Sequence, residues 1–140
     1  MSALMTCGSC MTNRDGLIRA LKHLGVPEDK IQIAVDEALT LQGYGRQTQK
    51  VEILVPNKQW HKGYSDFGFG KPKGSKEYNM YIDDMDDQGA LAQAAGVEGK
   101  FSESVTQWYN AFMAQDALKK QGLYTKIKTE GDKVLVVAQG

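Results

Sequence analysis

The apolar residues change their spacing along the chain, and that change constrains the fold more than any other feature of the sequence. Leu17, Ile18, Leu21 and Leu24 recur at the helical period and form one stripe. Asn13 suits the N-cap ahead of them, Gly25 the position just past the end, and Pro27 reinforces the stop. The period then shortens to two. Ile31, Ile33 and Val35 alternate with Gln32 and Ala34, which predicts a strand with one covered face. Val51, Ile53 and Val55 predict another, ended by Pro56, with Tyr78, Met80 and Ile82 as an antiparallel partner. Phe67 to Gly70 reads as a short strand or tight bend, and the region of Gly43 and Gly45 as a polar turn.

Helical spacing returns near the C-terminus. Val105, Trp108, Tyr109, Phe112 and Met113 mark a bulky helix face, with Ser102 as the expected cap and Gly122 at the end. Ala90 to Ala95 suits a short helix, and Asp83, Asp84, Asp86 and Asp87 ahead of it a solvated turn. Met1 to Cys10 reads as an N-terminal strand, and Glu130-Gly131-Asp132 as the turn of a closing hairpin. This order predicts one α+β domain over residues 1–140, with two main helices packed on one face of a mostly antiparallel sheet.

A chain of 140 residues folding alone buries about 70% of its extended-chain surface, enough for a core without disulfides. Its charges cancel, 17 basic against 17 acidic, which argues against disorder. No apolar run approaches the ~20 residues needed to span a bilayer, and no basic-then-apolar leader opens the sequence, so a soluble, cytoplasmic protein is expected.

Cys7-Gly8-Ser9-Cys10 is the most conspicuous chemical motif, since a C-x-x-C pair chelates metal or forms a redox disulfide. His23 follows at the spacing of a zinc finger's third ligand, but the second His expected a few residues later is missing, and His61 is far along the chain. Residues three apart on a strand face opposite ways, so Cys7 and Cys10 meet only across a bulge or turn. A metal or redox module using Cys7, Cys10 and His23 is therefore an alternative to structural thiols. Asp84-x-Asp86-x-Gln88-Gly89 imitates a calcium loop in part, but Ala95 stands where a bidentate Glu belongs. The glycines from Gly68 to Gly74 satisfy neither a dinucleotide fingerprint nor a P-loop. No catalytic Ser-His-Asp or Cys-His set stands out. No cofactor is expected.

Charge is uneven along the chain: residues 46–76 carry seven basic and two acidic groups, a net of +5, and residues 77–103 one basic and seven acidic, a net of −6. Tyr44, Trp60, His61, Tyr64 and Phe67 lie in or beside the basic stretch. Rings among basic groups anchor protein interfaces or stack on single-stranded nucleic acid. The neutral total favours a protein partner, with nucleic acid second and no membrane.

Leu17, Leu21, Leu24 and Gly25, then Leu41-Gln42-Gly43-Tyr44 with Arg46, Val51-x-Ile53-x-Val55, Gly63-Tyr64-Ser65-Asp66-Phe67-Gly68-Phe69, Tyr109 and Gly122 form a wider pattern. It resembles a domain family of unknown function, known from a hypothetical chloroplast reading frame numbered thirty-five and its cyanobacterial and phage relatives. The Cys pair falls outside that pattern. The resemblance implies a setting, in plastid stroma, cyanobacteria or a virus-infected host, and no reaction. It directs attention to Tyr44, Arg46, Tyr64 and Asp66 as contact residues, beside Trp60 of the basic stretch, with an Asp66–Arg46 ion pair fixing a concave surface edged by the two tyrosines. A non-enzymatic protein that binds and regulates a macromolecule is the leading expectation.

Overall fold

The computed structural model describes residues 4–7, 11–131 and 133–139. Elements are numbered in chain order. Helix α1 (Arg14–His23) begins where Asn13 predicts: its side-chain oxygen accepts the Gly16 N–H at 2.8 Å. Asp15 in the first turn and Lys22 and His23 in the last complement the helix dipole. Leu17, Ala20 and Leu21 form its buried side.

The main sheet runs β1 (Leu4–Cys7), β7 (Asn79–Asp83), β6 (Phe67–Gly70), β5 (Ile53–Val55), β2 (Gln32–Ile33), with every neighbouring pair antiparallel. Alternation divides its side chains between two cores. Ile53, Val55, Phe67, Phe69, Met80 and Ile82 meet α1 together with Phe101, Val105 and Tyr109 of the long helix α4 (Phe101–Lys120). Tyr109 also ties the two helices, its hydroxyl accepting the Thr12 and Asn13 N–H groups at 3.0 Å each. The fold is thus α+β, with both main helices on one sheet face.

Leu54 and Tyr81 point the other way, onto Leu41 and Val51. Those two belong to a hairpin, β3 (Leu39–Gln42) with β4 (Thr48–Val51), whose turn is the expected polar one carrying Gly43 and Gly45. The sequence signal was thin because only Leu39, Leu41 and Val51 face the sheet there, and polar residues fill the rest of both strands. Gly68 has no side chain on the hairpin's side, and a Cβ there would overlap the Ile53 carbonyl oxygen.

Three other expectations change. The strand over Ile31–Val35 is only two residues long, and of its expected face only Ile31 packs on the core: Ile33 is exposed, and a bend begins at Val35, which is 91% exposed. The acidic stretch is not a solvated turn. Asp83 caps a short helix, α2 (Asp84–Gln88), by accepting the Met85 and Asp86 N–H groups, and Asp86 and Asp87 are buried. Helix α3 (Ala90–Ala95) follows. Ser102 is not the cap of α4, since Lys100 holds that position. Ser102 lies inside the helix, and its N–H and hydroxyl both donate to the Asp87 carboxylate at 2.7 Å.

The closing hairpin, β8 (Tyr124–Glu130) with β9 (Lys133–Gln139), pairs in full register but forms its own two-stranded sheet against α4. Gln115 on α4 donates to the Thr125 hydroxyl at 3.0 Å. Among the described residues no helix is long and apolar enough to cross a membrane.

Candidate functional site

The residues of Leu41-Gln42-Gly43-Tyr44 and Gly63-Tyr64-Ser65-Asp66 lie together where the β3–β4 hairpin meets the loop ahead of β6. Gln42 and Asp66 are joined twice: the Gln42 N–H donates to the Asp66 carboxylate at 2.9 Å, and the Asp66 N–H to the Gln42 carbonyl at 3.0 Å. The second Asp66 oxygen accepts the Asn57 N–H at 2.8 Å. Asn57 closes its own turn, its amide donating to the Gly63 carbonyl and accepting the Gly63 and Lys58 N–H groups. The Ser65 hydroxyl donates to the Asp66 carbonyl at 2.6 Å.

Beneath this loop lies Asp86, 1% exposed, reaching up from α2. Its carboxylate accepts the Tyr64 N–H at 2.9 and 3.0 Å and the Ser65 N–H at 3.1 Å. Gly63 makes this approach possible, because a Cβ at that position would overlap the carboxylate. Burial raises the Asp86 carboxyl above its ordinary value, and the nearby Asp83 charge pushes the same way. The Tyr64 and Ser65 N–H groups and the His61 charge oppose them. His61, also 1% exposed, grips the segment from its carbonyl side: Nε2 donates to the Ser65 carbonyl at 2.9 Å. Its Nδ1 finds no hydrogen-bond partner among the described residues. The ring packs edge-on against Phe67 at 5.5 Å between centroids.

What this network presents outward is a pair of rings. Tyr44 and Tyr64 are 47% and 53% exposed and meet edge to face, their centroids 5.6 Å apart at 86°. Arg46, exposed on the β3–β4 turn, makes no ion pair among the described residues. The expected Asp66–Arg46 pair is therefore not formed. Asp66 is taken up by two backbone amides, which a carboxylate in a tight loop reaches more readily than a long side chain two turns away. Trp60, expected at the same surface, is half-buried and packs on Phe101 at 5.9 Å.

Cys7 lies on β1, and Cys10 lies outside the described residues. His23, the third residue considered for metal, stacks on Trp108 with centroids 3.7 Å apart and borders Phe112, and burial lowers its pKa. Among the described residues no group of three or more His, Cys, Asp or Glu is placed to hold a metal ion. Asp84 and Asp86, the acids of the partial calcium pattern, accept hydrogen bonds from the chain itself, as do their neighbours Asp83 and Asp87. A cleft of about 560 Å³ opens between the tip of the closing hairpin and the start of α4; Lys100 and Lys133 line it along with Glu98, Glu103 and Trp108.

The sequence pointed to Tyr44, Tyr64 and Asp66 but missed Asn57 and the roles of His61 and Asp86. The available signal was Asn57 directly after Pro56, where a short amide side chain ends a strand by bonding its own turn. No protein-family model, curated protein or solved structure matches this chain.

Proposed function

We propose that this chain is a small, non-enzymatic protein that binds a protein partner through the Tyr44–Tyr64 face, with Arg46 at its margin. The observation that carries this reading is the mutual packing of two half-exposed rings on a loop fixed by a buried polar network. Self-support accounts for the network but not for rings left half in water. Tyrosine and arginine supply large contact area with few rotors to freeze, which is why they anchor interfaces. The resemblance to the plastid, cyanobacterial and phage family makes extracts of such cells the place to look for the partner.

The test is affinity capture with the wild-type chain and with a Tyr44→Ala/Tyr64→Ala double variant, each checked by thermal melting. Truncating two central anchors costs about 2 kcal/mol or more of binding, so at least about a tenfold loss of one specific partner is expected. Melting should change little. An identical set of captured proteins from both chains would refute the reading.

A further inference from the structure

The segment carrying Tyr64 is held by two buried titratable groups that the contact face itself does not use. Asp86 takes the Tyr64 and Ser65 N–H groups, and His61 takes the Ser65 carbonyl. At the other end of this loop the Asn57 amide donates to the Gly63 carbonyl and accepts the Gly63 N–H. Here the partners are instead a carboxylate and an imidazole, both sealed from water, with the imidazole Nδ1 left without a partner among the described residues.

We propose that Asp86, set with His61 around this segment, is a proton-operated latch that fixes Tyr64 and thereby regulates the Tyr44–Tyr64 face. The proposal rests on the reading of that face as the contact surface. The step is a simple protonation. A proton from solvent adds to one Asp86 oxygen, no covalent bond of the chain breaks, and that oxygen changes from acceptor to donor opposite the N–H groups it held.

The surrounding charges agree with this assignment. On the strand leading into α2, Asp83 acts on Asp86 and disfavours its charge; on the loop, His61 favours it. Asp87 beside it is engaged by Ser102 of α4, and Asp66 by Gln42 and Asn57. Lys58, Lys62 and Glu103 on the packed elements are exposed, and α3 brings no charged residue. Because the folded pKa of Asp86 is raised, its contribution to stability is fully present below the ordinary carboxylate range and is lost as pH rises through the folded value. Acidification therefore does not unfold the chain through this group; it acts locally, weakening the Tyr64 and Ser65 N–H bonds that favour the charged carboxylate.

The test is a series of amide spectra of the ¹⁵N-labelled full chain from about pH 7.5 down to about pH 4.5, spanning the His and carboxylate ranges. Tyr64 and Ser65 amides should move along one common curve, with a midpoint above the ordinary carboxylate value. In Asp86→Asn they should stay still. In His61→Gln the curve should move to higher pH, because a positive charge that favours the carboxylate is gone. Static wild-type amides, or an unchanged curve in Asp86→Asn, would overturn the latch. If Asp86→Asn does not fold, an unmoved curve in His61→Gln does so. The spectra need no partner, so a failed latch and a failed contact face are told apart: capture that is lost in the tyrosine double variant can coexist with static amides, and the reverse.

Discussion

Gly63 decides at the scale of one residue whether the tyrosine-bearing loop forms. Its missing side chain leaves room for the Asp86 carboxylate, which then collects the next two backbone N–H groups. A methyl group there displaces a buried acceptor, so Gly63→Ala should destabilise by about 2–3 kcal/mol, the range of overpacking in a rigid site. Gly45 provides the comparison: it sits at φ +73° with open space around its Cα. Its Ala variant should cost only the backbone strain of about 1 kcal/mol. Urea denaturation of both variants measures the difference, and equal costs would mean that the carboxylate yields to a methyl group. The sequence showed Asp66 as a conspicuous acid but could not name its partner. Opposite charge suggested Arg46, whereas the unpaired donors nearest to it were the Gln42 and Asn57 N–H groups, which only the folded backbone places.

Among the elements, α2 does more than its five residues suggest. It sends Asp86 to the loop ahead of β6 and Asp87 to the first turn of α4, so one short helix sets both the contact loop and the long helix. Lys100 gives α4 no side-chain cap, and Asp87 takes over that task from a distance. Asp87→Ala leaves a buried N–H and a buried hydroxyl without an acceptor, and should destabilise by about 2–3 kcal/mol; thermal melting checks this, and a neutral result would show that Ser102 finds another partner. The periodic elements, α1, α4, β5 and β7, were legible because each repeats one apolar spacing over several residues. The β3–β4 hairpin and α2 were not. Neither carries a long apolar pattern, and each is fixed by what it caps or covers elsewhere in the chain.

For the molecule as a whole, the five-stranded sheet is covered on both faces while the β8–β9 hairpin stays apart, attached through one side of α4. A lone two-stranded ribbon is marginal by itself, so its stability is borrowed from the helix. Native-state hydrogen exchange should show β8–β9 amides opening well before those of β6 and β7. Matching protection would mean that ribbon and sheet open as one unit. The same layout keeps the two working parts of the hairpin β3–β4 separate: Leu41 and Val51 are sealed against the sheet, while Tyr44, Gly45 and Arg46 stand at the tip, exposed. Selection can therefore rewrite Tyr44 and Arg46 without disturbing what lies beneath. A lineage keeps the scaffold and changes its correspondent, and a protein engineer can graft a foreign recognition sequence at the same spot.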